Sequence, residues 1–430
     1  MISKPKIAGL QKILLFLLIA LLPVQLGRHF YFDFTRISAI TIDYFIPTLY
    51  LTDAVIIILI LSDLIPTILG KNKKNRKIKS SGIYILFFLY LLISVLLVSP
   101  NTPVSGYKLL KIIEFSYLLK ICRDIRFGRK FFLNAYILAL IYSGILAIIQ
   151  FNLQRSAGGF WYYLGERTFT SSSLGIALSS WGGKLLLRPY ATFAHPNVLA
   201  GFLASGLPLV LFQIISSKKI NLGEIVFLCA GFILGSVSLI LAFSRAAMLV
   251  FLLGILFIFI LNKSQLRKSL IHSKRLMMQI FLMLFILSVV MPILVNNISG
   301  ELAGSLFERR SLLESSVQLL INNPVFGTGL NNSIIEQYKL LPKRYGLFIF
   351  QPVHNSFLLA LTELGLIGFI FIVYFIKLTI DRINEDNIYN FLPFFLIIVL
   401  GFFDHYPVTL QQGMLMTILF AGLTFEGLRK

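Results

Sequence analysis

Residues 239–261 read LILAFSRAAMLVFLLGILFIFIL. No charge follows Arg245 until Lys263, and at 1.5 Å per helical residue this apolar run approaches the ~30 Å hydrocarbon layer of a bilayer. A second apolar run ends at Phe243, so two candidate spans meet at a tight turn holding one arginine. A single hairpin of this kind makes the chain a helical membrane protein rather than a soluble domain.

The rest of the sequence agrees. Of 430 residues, 57% are hydrophobic and only 13% charged, so no soluble core accounts for the composition. Apolar runs at 8–26, 49–69, 82–98, 107–121, 131–151, 196–216, 222–243, 246–261, 277–295, 356–378, 391–403 and 409–426 predict about twelve transmembrane helices in one integral membrane domain, 1–430. The first run follows lysines but lacks a small-residue cleavage motif, and it reads as an uncleaved helix. Cys122 and Cys229 fall in or beside apolar runs and suggest neither a disulfide framework nor a thiolate metal site.

Orientation follows from charge. With the N-terminus inside, the basic clusters at 71–80, 122–130, 216–219, 262–275 and 428–430 all fall on the cytoplasmic side. The net charge of +21 is then a matter of topology, and nucleic acid is not the expected partner. The expectation is a multi-pass protein of the cell inner (cytoplasmic) membrane with both termini cytoplasmic and membrane lipids around it.

Two long segments remain for the extracytoplasmic face, a first loop at 152–188 and a larger one at 296–354 before the tenth helix. The larger is partly helical. In ERRSLLESSVQLLINNP, 308–324, Leu312, Leu313, Val317, Leu320 and Ile321 recur at helical spacing and Pro324 ends the pattern. In VFGTGLNNSIIEQYKLL, 325–341, two glycines mark a turn, and Ser333 with Glu336 has capping-box spacing. These segments predict a folded cap.

Polar residues gather at one level of the predicted bundle. Arg188 precedes the sixth span, Arg245 occupies the turn before the eighth, His354 opens the tenth, and Asp404 with His405 precedes the twelfth. Guanidinium groups grip a diphosphate bidentately, and nearby helix N-termini add positive potential. A diphosphate leaving as a stabilised anion requires no metal, and His354 is the candidate general base for an attacking hydroxyl. The expected outside carboxylates Glu166, Glu301, Glu308, Glu314, Glu336 and Asp404 show no D-x-D pair, and HExxH is absent, so neither a metal nor another cofactor is expected. Among intramembrane acids, Glu363 falls on roughly the opposite helix face from His354 and ~13 Å deeper, which suits hydrogen bonding between helices; Asp53 is read the same way.

The blocks RPYATFAHPNVLAGFL (188–203), AFSRAAMLVFLLG (242–254), INNPVFGTGLNNS (321–333), VHNSFLLALTELGLIGFI (353–370) and GFFDHYPVT (401–409), in this order, resemble those of the O-antigen ligase and polymerase family. The resemblance implies an inverting, metal-independent glycosyltransferase. It would move a glycan from an undecaprenyl-diphosphate carrier to an acceptor hydroxyl, on lipid A core, another glycolipid or another glycan. It implies Arg188 and Arg245 on the donor diphosphate, His354 as the catalytic base, and Asp404, His195, Asn197 and Asn355 in support. One difference is at Ala191-Thr192, where the family often has Gly-Thr. A ligase, a polymerase and a protein O-oligosaccharyltransferase share this chemistry. A glycolipid transporter or flippase would instead show paired broken helices in two related halves, which the sequence does not display.

Overall fold

The apolar runs fold as helices because a segment crossing lipid must satisfy its own backbone N–H and C=O groups. The computed structural model describes residues 4–68, 82–125, 127–216, 221–272, 274–294, 301–340 and 350–425. The helices are α1 (Lys4–Ala20), α2 (Leu51–Ile68), α3 (Gly82–Ile93), α4 (Thr102–Ile125), α5 (Arg129–Leu153), α6 (Pro196–Ser216), α7 (Leu222–Leu241), α8 (Arg245–Asn262), α9 (Ser264–His272), α10 (Lys274–Leu294), α11 (Glu301–Asn322), α12 (Ser333–Leu340), α13 (Ser356–Asp381), α14 (Ile388–Leu400), α15 (Tyr406–Thr409) and α16 (Gln411–Thr424). Three short antiparallel ladders decorate the ends: β1 (Gly27–His29) with β4 (Thr48–Tyr50), β2 (Arg36–Ile37) with β3 (Ile40–Thr41), and β5 (Leu178–Trp181) with β6 (Lys184–Leu187). The basic clusters expected at 71–80 and 428–430, all but Ser216 of that at 216–219, and the cap residues 296–300 and 341–349 lie outside the described residues.

Among the described residues, α5, α6, α7, α8 and α13 are long and apolar enough to cross a membrane. Helix α6 is the pillar of the bundle. Of its most apolar window 78% is buried, against 28% for α7 and for α8, and it packs on α7, α8 and α14. The outer faces of α7 and α8 instead expose Ile233, Val237, Leu249, Leu252, Leu256 and Phe259. An apolar face of that extent is stable only against lipid, and the chain is an all-α, multi-pass membrane protein.

Helix α13 departs from the expected continuous span. It breaks at Gly365, whose φ of 60° and ψ of −169° are essentially open to glycine alone. Four of the backbone groups freed by the break are taken up by loop 324–329, and Leu364 O accepts from the Tyr90 hydroxyl. Thr362 O and Glu363 O accept from the N–H groups of Thr328 and Gly329 at 2.9 and 3.0 Å, while the N–H groups of Leu366 and Ile367 donate to Pro324 O and Val325 O at 2.9 and 3.4 Å. The contact has no room for side chains: a Cβ on Gly365 would lie 2.3 Å from Val325 O, and one on Gly327 would lie 2.5 Å from Glu363 O. Glu363 secures the same loop, accepting from Asn331 N–H at 2.9 Å and Ser333 Oγ–H at 2.8 Å.

The cap helices differ from expectation in detail. In α11 the buried face is Leu312, Leu313, Ser315, Ser316 and Leu319, whereas Ile321 is exposed, because α13 covers only part of the apolar stripe. Ser333 does not form a capping box: its hydroxyl goes to Glu363, and Glu336 takes Lys339 instead. A buried carboxylate is the stronger acceptor. Asp53 is buried against Lys111 and Gln411, in keeping with the hydrogen-bonding role read for it.

Candidate active site

The turn 188–193 is shaped from below by Gln150, buried near the end of α5. Its Oε1 accepts from the Tyr190 and Ala191 N–H groups at 2.9 and 2.8 Å, and its Nε2 donates to Ala191 O at 2.9 Å and Glu166 Oε1 at 2.7 Å. Ala191 is thereby held at a φ of 49°, a left-handed conformation that a glycine adopts freely. The departure at this position therefore carries some backbone strain but leaves the turn intact.

The turn aims Arg188 across the bundle end. Its Nε donates to Ala242 O at 2.8 Å and its Nη2 to Asn197 Oδ1 at 2.6 Å. Burial lowers its pKa to about 10, with Arg309 and Arg245 acting in the same sense, and the group stays cationic at neutral pH. Asn197, in the first turn of α6, passes the connection on: its Nδ2 donates to Asp404 Oδ2 at 3.2 Å. Asp404 Oδ1 in turn accepts from the His405 N–H at 2.8 Å and faces His354 Nδ1 at 3.3 Å. Burial opposes the Asp404 charge, yet His354, His405 and Arg309 outweigh it and hold the carboxyl well below the usual carboxylate range. An ionised carboxylate only accepts, so the proton of a neutral His354 belongs on Nδ1 and its Nε2 carries the lone pair.

Neighbouring packing fixes this turn. Tyr406 is fully buried after His405, and its ring fills the space that a side chain at position 201 of α6 would take. His405 Nδ1 is paired with Thr409 Oγ1 at 2.7 Å, and burial pushes its pKa down to about 3. His195 accepts the Asn197 N–H on Nδ1 at 3.1 Å, and burial, then the Arg188 charge, push it down to about 4. Both imidazoles are neutral at pH 7.

A cavity of about 370 Å³ opens here, lined by His195, Asn197, His354, Asp404 and His405 together with Lys108, Arg167 and Tyr44, whose ring packs edge-on against His405. The structure thus brings Asn197, Asp404, His354 and His195 onto one cavity, with Arg188 outside its lining and joined to it through Asn197. Arg245 opens α8 just beyond the cavity lining, exposed, three residues after the Ala242 carbonyl that holds Arg188. Asn355 does not enter the cavity: its Oδ1 caps α13 by accepting from the Phe357 and Leu358 N–H groups, both at 3.0 Å, and its Nδ2 donates to Ser288 Oγ. Lys108, Arg167 and Arg309 were not singled out by the sequence. Arg309 in particular lies in ERRSLLESS, where apolar spacing draws the eye, yet its Nη1 reaches Phe403 O at 3.3 Å beside Asp404.

His354, Asp404 and His405 each place one donor atom within 4.8 Å of the others, a grouping that chain spacing conceals. Two imidazoles and a carboxylate can ligate a divalent ion. Here the fit is poor: Asp404 already meets three protein donors, His405 Nδ1 is engaged by Thr409, and the Arg188 and Arg309 charges bear on the group.

Comparison with known proteins places part of this geometry in a family. Residues 230–373 match the model of the O-antigen ligase family, a stretch that takes in Arg245, α11, α12 and His354 and leaves Arg188 and Asp404 outside it. No curated protein and no solved structure matches the chain. Over residues 230–373, about a third of the chain, the match agrees with the resemblance to the O-antigen ligase and polymerase family read from the sequence.

Proposed function

We propose that this protein is an O-antigen ligase-type glycosyltransferase that moves a glycan from undecaprenyl diphosphate to an acceptor hydroxyl, on lipid A core or another surface acceptor. The observation that carries the reading is the unbroken chain of contacts Arg188–Asn197–Asp404–His354 at one end of the bundle. It joins a diphosphate-binding cation to an oriented imidazole through two side chains.

In the proposed reaction Arg188 and Arg245 hold the donor diphosphate. Nε2 of His354 accepts the acceptor hydroxyl proton while that oxygen attacks the anomeric carbon. The bond from the anomeric carbon to the diphosphate oxygen breaks, the bonding electrons leave with the diphosphate, and the anomeric configuration inverts. Asp404 holds the His354 ring and stabilises the imidazolium, which then loses its proton to solvent. His195 and Asn197 line the donor side, and Asn355 supports His354 only through its cap on α13. No metal takes part.

The proposed topology has about twelve spans, both termini in the cytoplasm, and the site on the extracytoplasmic face of the inner membrane, under loops 152–188 and 296–354. A polymerase or a protein O-oligosaccharyltransferase would use the same groups on a different acceptor. Against a flippase, only α13 among the described helices carries an internal non-helical break, and its freed groups are closed by loop 324–329 and Tyr90.

The test is reconstitution of the purified protein with a radiolabelled undecaprenyl-diphosphate glycan and a choice of lipid, glycan and peptide acceptors. Label is expected on a lipid-core or glycan hydroxyl, independent of chelator. Transfer by His354→Ala at the rate of the unaltered protein would defeat the assignment.

A further inference from the structure

Two of the three lysines of α4 are paired with carboxylates. Lys111 meets Asp53 and Glu114, and Lys120 meets Asp63 at 2.7 Å. Lys108 has no such partner: among the described residues no carboxylate lies within 4 Å of its ammonium. It donates to Val408 O and lies 3.4 Å from Met414 Sδ, a carbonyl and a thioether. It also lines the cavity that holds His354, Asp404 and His405. Lys108 is half-buried at the cavity wall and Glu363 acts on it only from beyond ion-pair distance, so an anion entering the cavity would supply the close counter-charge that its neighbours do not.

Its place in the cavity is set by α15. His405 caps the start of this one-turn helix, and Val408, whose carbonyl takes Lys108, lies three residues later. That is ~5 Å along the helix axis, about the length of one sugar ring. The surroundings also differ from those of the arginines. The charges that bear on Arg188 are Arg309, Asp404 and Arg245, whereas those that bear on Lys108 are Glu363 and Lys111.

Building on the transferase reading, we infer that Lys108 is a specificity residue that binds an acidic group, carboxylate or phosphate, on the acceptor sugar beside the hydroxyl presented to His354. The competing source of the same chemistry is the donor diphosphate.

Ligand-observed NMR on the purified full chain separates these, using methyl glucuronide against methyl glucoside, and pyrophosphate as the third probe. The unaltered protein and His354→Ala are expected to prefer the glucuronide. Lys108→Met should weaken glucuronide binding about tenfold or more, with glucoside and pyrophosphate binding unchanged, and Lys108→Arg should keep the preference. Equal binding of the two glycosides to the unaltered protein would overturn the inference, as would a preference that survives Lys108→Met. Weakened pyrophosphate binding in Lys108→Met would assign the lysine to the donor instead and overturn it too. Binding in His354→Ala is independent of transfer, so loss of the acidic preference defeats the subsite alone, while normal transfer by His354→Ala defeats the transferase mechanism.

Discussion

Replacing Asp404 by asparagine removes one charge and turns one acceptor oxygen into a donor. The carboxylate meets three protein donors, His405 N–H at 2.8 Å, Asn197 Nδ2 at 3.2 Å and His354 Nδ1 at 3.3 Å. An asparagine has a single acceptor oxygen, so in either orientation at least one buried donor faces its NH2 group, at ~1–3 kcal/mol each. If the oxygen turns to Asn197, nothing holds the proton of His354 on Nδ1, and Nε2 ceases to be the free base. Removing general-base catalysis lowers turnover by ~10²–10⁴-fold, and the variant is expected to lose a large share of that. Arg188 keeps its contact to Ala242 but is linked to Asp404 through Asn197 and feels its charge, so donor KM should shift modestly while the larger loss falls on turnover. The assay is label transfer at saturating donor and acceptor, with thermal unfolding in detergent measured alongside. Unchanged turnover in a folded Asp404→Asn protein would refute the orienting role.

Arg245→Ala is expected to raise donor KM and lower turnover, and Arg245→Lys to recover only part, since an ammonium cannot reproduce a bidentate grip; full recovery by lysine in steady-state kinetics would reject that geometry. Gly365→Ala should destabilise the protein by ~3 kcal/mol or more, read as a lowered Tm, because the backbone strain adds to the clash with Val325 O. His195 and His405 are neutral when folded, with pKa values pushed to about 4 and about 3, but take up protons near the ordinary ~6.5 when unfolded. Stability is therefore greatest above that pH and falls as pH is lowered toward 4, so Tm should drop over this interval, and a flat profile would contradict the burial of both rings.

Much of the fold was legible because helices in lipid announce themselves by length and polarity: the run opening at Pro196 ends at Ser216 in both sequence and structure. Arg188, His354 and Asp404 stood out for a related reason, as polar groups at the ends of apolar runs, and the structure links them through Asn197. The break at Gly365 was not, because ELGLIGF has the hydropathy of an intact span and only φ above zero sets it apart. Lys108 was hidden inside a run with two other lysines, whose partners Asp53 and Asp63 are more than fifty residues away in sequence. Arg309 belonged to a helix read for its apolar stripe alone. Hydropathy finds where a helix is; it carries no information on which of its polar residues meet across the bundle.

The stitched break in α13 bears on how the protein is made. The half-helix Ser356–Leu364 cannot stand in lipid by itself, since Thr362 and Glu363 offer carbonyls that only loop 324–329 accommodates. Each amide left bare in hydrocarbon costs several kcal/mol. Loop 324–329 must therefore be folded against α13 before the segment bearing His354 can settle. Biogenesis of this bundle cannot proceed as independent insertion of prefabricated rods: the lining of the cleft matures only when a segment made earlier turns back to complete one made later.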